Sequence, residues 1–142
     1  MATFQVVDEF ANFVGKKRDD LSADVFKAAL SNTAPTKAGT QILADITQIA
    51  ATGGYAVATL SGVTWAETGA STGIWQFSSS AFSWTASGAD FATARYVVIY
   101  DDTSTNKDVV GFADYGSALV VTNGATFTVT PGANGIFRMT VS

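Results

Sequence analysis

Residues 94–101 read Ala-Arg-Tyr-Val-Val-Ile-Tyr-Asp, and this stretch decides the fold. Almost every position is apolar, and β-branched and aromatic side chains dominate, which favours a strand. A strand that is apolar on both faces has to be covered on both faces. We therefore predict a central, fully buried strand here, followed by a solvated turn formed by the polar residues of 101–108.

Outside this stretch, apolar and polar residues alternate along most of the chain from Asp24 onward. In 125–130 an aromatic residue and a valine alternate with threonines, as in a half-buried strand. The Asn-Gly pairs at 123–124 and 134–135 predict tight turns, and with them an antiparallel meander at the end of the chain. Short runs separated by turn residues are typical of a sandwich or jelly roll. The candidate strands are 24–31, 46–51, 55–61, 73–78, 81–86, 94–101, 108–114, 117–122, 125–130 and 135–141.

The N-terminus has a different period. Phe4, Val7 and Phe10 recur at helical spacing, and Gly15 followed by basic residues is a helix stop signal. We predict a helical segment over 1–17. The fold class is thus all-β, an antiparallel β-sandwich or jelly roll with one short N-terminal helix.

The 142 residues contain no repeat, low-complexity tract or linker, so we predict a single β-sandwich domain over 1–142. The segment 31–41, Ser-Asn-Thr-Ala-Pro-Thr-Lys-Ala-Gly-Thr-Gln, is a polar loop without periodicity. Connecting loops carry binding functions more often than the strands do. This loop is therefore a candidate partner contact.

The chain has no histidine and no cysteine. Their absence excludes imidazole bases, thiol nucleophiles, disulfides and the usual zinc ligands. No Gly-x-Ser-x-Gly elbow and no phosphate-binding glycine motif occurs. We expect no enzymatic activity, no cofactor and no metal.

Only 14% of the residues are charged, against about 25% in typical proteins. The chain instead contains nineteen threonines, twelve serines and twenty-three alanines. A neutral surface suits packing against other subunits, because charged residues are depleted from interface cores. The net charge of −4 argues against binding nucleic acid. We find no signal peptide and no apolar run long enough to span a membrane, so we expect synthesis in the cytoplasm.

Two groups of residues carry weaker chemical signals. The 101–108 segment is rich in oxygen ligands, but it lacks the spacing, the central glycine and the closing glutamate of a calcium loop. Trp65, Trp75 and Trp84 are candidates for a sugar-stacking platform. Because Phe77 pairs by spacing with Trp75, and Phe82 with Trp84, we favour a core hairpin instead. The isolated acids, Asp45, Glu67, Asp90 and Asp114, are interpreted as solvated turn residues.

A series of motifs runs along nearly the whole chain in a fixed order. They are Phe13-Val14, DVFKAALSNTAP (24–35), LADITQIA (43–50), Gly53-Gly54-Tyr55, WTASG (84–88), ARYVVIYDDT (94–103), VGFADYGS (110–117), TFTV (126–129) and NGI (134–136). In this order and spacing, the chain resembles a family of small structural proteins from the virions of tailed bacteriophages. Members of that family are labelled capsid decoration (cement) proteins or tail-associated proteins.

The resemblance implies a capsid decoration protein that binds the outer surface of the assembled head, contacts the major capsid protein and stabilises the shell. Its location would be the virion, after synthesis in the host cytoplasm, and it would form a homo-oligomer, either a dimer or a trimer. A tail fibre, spike or baseplate component is the alternative, and a carbohydrate-binding module is a further one. The candidate partner contacts are Phe4, Val7 and Phe10 in the N-terminal segment and Asn32, Thr33, Pro35 and Lys37 in the loop.

Overall fold

A computed structural model describes residues 1–141. Almost all of its regular structure is strand, with one short helix near the N-terminus and one turn of 3-10 helix at Leu43–Asp45. The predicted all-β class is confirmed. The elements in chain order are β1 (Phe4–Val6), α1 (Phe10–Gly15), β2 (Phe26–Ser31), β3 (Ala58–Thr59), β4 (Thr64–Glu67), β5 (Ile74–Ser78), β6 (Phe82–Thr85), β7 (Ala94–Asp101), β8 (Val109–Leu119), β9 (Thr126–Val129) and β10 (Phe137–Thr140).

The strands form three antiparallel sheets. The largest has five strands in the order β1-β8-β7-β2-β3. The second has three strands in the order β10-β5-β4, and the third pairs β6 with β9. Phe26 of the five-stranded sheet meets Phe77 of the three-stranded sheet edge-to-face, with ring centroids 5.1 Å apart. This packing of sheet against sheet is consistent with a β-sandwich.

Strand β7 lies at the centre of the five-stranded sheet, as its sequence predicts. It pairs with β2 over six residues and with β8 on its other side. From Tyr96 to Asp101 every side chain is buried, so both faces are covered. Apolar residues on both faces therefore identify this strand correctly.

The N-terminal prediction is partly wrong. Phe4–Val6 is a strand, not the first turn of a helix, and the helix is confined to Phe10–Gly15. The strand forms because it pairs with β8 over the register Phe4↔Ala113 to Val6↔Gly111. A Cβ at Gly111 would lie 2.3 Å from the Gln5 carbonyl oxygen, so only glycine allows this close approach. Helical spacing within 4–14 cannot reveal a pairing with residues a hundred positions away.

Several strand boundaries also differ from the prediction. Residues 46–51 form no strand and contribute only an isolated bridge between Ser31 and Gln48. The predicted strand 55–61 shrinks to Ala58–Thr59, and the predicted strands 108–114 and 117–122 are one continuous strand, β8. Strand β4 was missed, although the alternation of Val63, Trp65 and Glu67 is a usable signal.

The predicted C-terminal meander is wrong. The Asn-Gly pairs at 123–124 and 134–135 do form turns, with Gly124 and Gly135 at positive φ. However, β9 pairs with β6, and β10 pairs with β5. The turns therefore lead each strand into a different sheet and do not join neighbouring strands.

Candidate functional site

Three of the predicted partner contacts are buried within the protein. Val7 and Phe10 belong to the hydrophobic core, and Pro35 is also buried. Phe4 is half-buried, and its ring stacks on Phe137 with centroids 6.1 Å apart. Phe4, Val7 and Phe10 hold the N-terminal segment onto the sandwich. Because buried side chains are not available to another protein, we exclude Val7, Phe10 and Pro35 as contacts.

The other predicted contacts lie on the surface. Asn32, Thr33 and Lys37 are exposed. The structure brings their loop next to the N-terminal segment, because the Asp8 backbone N–H donates to the Lys37 carbonyl at 3.0 Å. The Lys37 ammonium lies 3.9 Å from an Asp8 carboxylate oxygen. We call the exposed part of residues 31–41, together with Asp8, the loop surface. Sequence reasoning missed Asp8, because it was assigned to a helix turn.

Hydroxyl groups fix the backbone of the loop surface. Thr36 Oγ1 accepts a hydrogen bond from the Gly39 N–H at 3.0 Å, and Thr40 Oγ1 accepts one from the Thr36 N–H at 3.0 Å. At the start of the loop, Ser31 Oγ lies 2.7 Å from the Thr47 carbonyl oxygen and accepts from the Thr33 N–H at 3.1 Å. A loop fixed in this way loses little conformational entropy when a partner binds.

The end of the loop is anchored to the start of β8. Val109 N–H donates to the Gln41 carbonyl at 2.8 Å, and Leu43 N–H donates to the Lys107 carbonyl at 2.9 Å. The Asp45 carboxylate accepts from the backbone N–H groups of Gln41 and Ile42, at 2.9 and 3.0 Å. These hydrogen bonds stabilise the ionised carboxylate and lower the pKa of Asp45.

The three tryptophans do not form one platform. Trp84 is buried and stacks on Phe127, with centroids 5.7 Å apart. The predicted hairpin between the Trp75 and Trp84 strands is wrong, because β5 and β6 lie in different sheets. Trp65 and Trp75 are instead neighbours on the β4–β5 hairpin, stacked at 5.8 Å and 24°. Trp75 is 36% exposed, so this pair extends the core face to the surface.

A pocket of about 470 Å³ opens beside Trp65. Its apolar wall is formed by Trp65, Met139, Leu21 and Val14, and its polar rim by Lys17, Asp19 and Asp20. Met139 is 39% exposed at this surface. The pocket therefore combines aromatic surface with charged groups at the rim.

The isolated acids each have a structural partner. Asp114 receives two hydrogen bonds from the Arg95 guanidinium, at 2.7 and 2.9 Å, and this pairing lowers the pKa of Asp114. Glu67 accepts from the Gly73 N–H at 2.7 Å, and Asp90 accepts from the Asn123 N–H at 2.7 Å. These carboxylates brace turns and strand ends, and nothing arranges them as an acid–base pair.

The solvated turn predicted at 101–108 is only half right. The segment is a turn between β7 and β8, but Asp101 and Asp108 are both 0% exposed. Asp101 Oδ1 accepts from the Thr103 N–H at 2.7 Å, and the Ser104 hydroxyl accepts from the Asp108 N–H at 2.7 Å. Arg18 pairs with the Asp108 carboxylate. No sequence motif links Arg18 to Asp108, so this contact could not be predicted from the sequence.

Within residues 1–141, no group of three or more histidine, cysteine, aspartate or glutamate side chains is arranged to hold a metal ion. No helix in the same range is long and apolar enough to cross a membrane.

No protein-family model, curated protein sequence or solved structure matches this chain. The family resemblance is therefore still a prediction, and the function has to be argued from the residues and their geometry.

Proposed function

We propose that this protein is a bacteriophage capsid decoration protein that binds the outer surface of the assembled head. The observation that carries the proposal is the loop surface. It is exposed, it has one cation and one carboxylate at its edge, and hydroxyl hydrogen bonds fix its backbone. Such a surface docks on a flat partner without desolvating many charges.

Repetition makes such a contact effective. A decoration protein binds many equivalent sites on a symmetric shell, so each contact can be weak while the total stabilisation is large. Binding only to the assembled shell stabilises that shell by mass action. The low charge of the chain supports this mode, because neighbouring copies repel one another little.

The partner in this proposal is the major capsid protein, and the contacts are Asn32, Thr33 and Lys37, with Asp8 beside them. Phe4 contributes by holding β1 in place. The N-terminal segment cannot be removed to test this, because Val7, Phe10 and Phe13 are part of the core. The test therefore needs a surface substitution that leaves the fold intact.

The substitution Thr33→Arg provides that test, with Thr128→Arg as the matched control. Both threonines are exposed, and both changes add the same cationic side chain. We measure the occupancy of each variant on heads assembled from the major capsid protein of the same phage. Occupancy that falls for Thr33→Arg and stays at the wild-type level for Thr128→Arg supports the loop surface. Equal occupancy for both variants contradicts it.

Self-association belongs to the same proposal. We propose a dimer or trimer, held by exposed apolar residues at the edge of the three-stranded sheet, where Met139 and Val141 are 39% and 66% exposed. Light-scattering mass of the purified protein decides between these states. A monomer at the protein concentrations used for head binding overturns this part.

A carbohydrate-binding module is the second candidate, and a specific observation favours it. The stacked Trp65–Trp75 pair reaches the surface next to the 470 Å³ pocket. Aromatic faces beside polar groups are typical of sugar sites. Tryptophan fluorescence titrated with a broad glycan panel tests it, with Trp75→Ala as the variant. Quenching that Trp75→Ala abolishes supports this candidate, and no response across the panel dismisses it.

A further inference from the structure

Two pairs of carboxyl groups lie where residues 18–24 meet the 101–108 turn. Asp19 is only 4% exposed, and the neighbouring Asp108 carboxyl raises its pKa. The half-buried Asp24 has the same effect on the pKa of Asp101. We call these four residues, Asp19, Asp24, Asp101 and Asp108, the acid cluster.

Four buried carboxylate oxygens of the acid cluster have no hydrogen-bond donor. Both carboxylate oxygens of Asp19, Oδ2 of Asp101 and Oδ2 of Asp108 are buried without a hydrogen-bond partner. A buried carboxylate oxygen without a donor is costly, since it has lost its water and gained nothing in return. One proton shared between two facing carboxyls lowers this cost for that pair, because it converts one of two acceptors into a donor.

The charges around the acid cluster do not balance it. Among residues 1–141, Arg18 is the one cation that pairs with the acid cluster directly, at Asp108, and the Arg18 side chain is 38% exposed. One guanidinium against three buried carboxylates leaves an excess of negative charge that a protein interior does not tolerate. The other charged groups nearby are Lys17 and Asp20 beside Asp19, and Asp102 with its partners Lys27 and Lys107.

We propose that protons shared within the acid cluster fasten residues 18–24 to the 101–108 turn, so that the fold takes up protons as it forms. A metal ion is the other way to satisfy these oxygens. The arrangement argues against it, since no three of the acidic side chains among residues 1–141 converge as a metal site requires.

The direction of the pH dependence follows from burial. Burial, with the neighbouring Asp108, raises the pKa of Asp19 to about 8. Burial, with the neighbouring Asp24 carboxyl, raises the pKa of Asp101 to about 7. In the unfolded chain both groups lose their protons near their ordinary pKa of about 4. Between about pH 4 and about pH 8 the folded state therefore binds more protons than the unfolded chain. The free energy of unfolding falls as the pH rises through this range.

The composition of the chain leaves few other groups that titrate in this pH range. There is no histidine and no cysteine, so apart from the α-amino group no ordinary side chain titrates there. The carboxyls whose pKa values are lowered, Asp20, Asp45, Asp102 and Asp114, have the opposite effect on stability, but only below about pH 4.

The wild-type protein is tested first, by urea unfolding across about pH 5 to pH 8. The unfolding equilibrium constant is expected to rise at least about tenfold per pH unit, which corresponds to one or more protons taken up on folding. Calorimetry in buffers of different ionisation enthalpy counts the same protons independently. A flat profile, or stability that increases with pH, overturns the proposal.

The substitution Asp19→Asn assigns the protons to the cluster. Asparagine resembles a protonated aspartate and keeps a donor for Asp108, so the pH slope should fall by about one proton. The exposed Asp8→Asn is the matched control and should leave the slope unchanged. An unchanged slope in Asp19→Asn contradicts the assignment. If that variant does not fold, the wild-type slope and proton count still decide.

Calcium provides the last arm of the test. The thermal midpoint of the wild type at about pH 8 should be the same in calcium chloride and in EDTA, because protons and not a metal occupy the cluster. A calcium-dependent rise in the midpoint that Asp19→Asn abolishes overturns the proposal in favour of a metal site.

Discussion

The two polar loops of this protein have similar sequences and opposite roles. Residues 31–41 and residues 101–108 are both rich in threonine, serine and asparagine, and neither has an apolar pattern. The first loop holds its backbone with hydroxyl groups and leaves most of its side chains in solvent. The second buries Asp101 and Asp108 completely.

The difference shows what makes a polar loop either an exposed surface or a buried contact between two segments of the chain. Hydroxyl groups donate and accept, so threonine and serine satisfy a loop backbone at any pH. Carboxylates only accept when ionised, so a loop that buries them needs a cation or protons from elsewhere. Arg18 and the proposed shared protons meet that need for 101–108. The loop surface needs neither a cation nor protons, so its exposed side chains are available to bind a partner.

Removing Arg18, the cation that pairs with Asp108 of the second loop, should have the largest effect on stability. Arg18→Ala leaves Asp108 buried without its guanidinium, and we expect a loss of about 3 kcal/mol in the free energy of unfolding. Urea denaturation at neutral pH measures it. If the loss is below about 0.5 kcal/mol, as for an ordinary surface pair, the acid cluster does not depend on Arg18.

The second-largest effect on stability is expected from disturbing β1, which leads into the segment that holds the first loop. Gly111→Ala places a methyl group 2.3 Å from the Gln5 carbonyl, so β1 has to move away from β8. We expect a loss of about 2 kcal/mol from this overpacking. Hydrogen exchange should also show faster exchange at the Asp8 N–H, which holds the Lys37 carbonyl. If Asp8 keeps wild-type protection, the N-terminal segment does not support the loop surface.

The smallest effect should come from the charge on the first loop. Lys37→Ala removes an exposed ion pair with Asp8 whose atoms are 3.9 Å apart. We expect a change in stability below about 0.5 kcal/mol, measured in the same urea assay as Arg18→Ala. Near-equal losses in the free energy of unfolding for Lys37→Ala and Arg18→Ala would contradict the difference between the two loops.

The sequence predicts the parts of the fold that depend on local pattern. Strand β7 is correct because eight consecutive residues with apolar character on both faces fit only a covered strand. The 31–41 loop is correct because it lacks any period. The turns at 123–124 and 134–135 are correct because asparagine and glycine tolerate positive φ.

The main errors arise from partners that are distant in the chain. Phe4–Val6 is a strand because it pairs with β8. Strands β9 and β10 lie in different sheets because β9 pairs with β6 and β10 pairs with β5. The acid cluster joins residues 19 and 24 to residues 101 and 108, with no motif linking them. In the candidate site, periodicity placed Phe4, Val7 and Phe10 on one face but did not reveal that this face is turned inward.

Imaging the intact virion at a resolution that traces the chain tests the proposed function most directly. We expect copies of this β-sandwich on the outer surface of the head, with Thr33 and Lys37 of the loop surface against the major capsid protein. Finding the chain in the tail, or on the head with the 31–41 loop facing solvent, would contradict it.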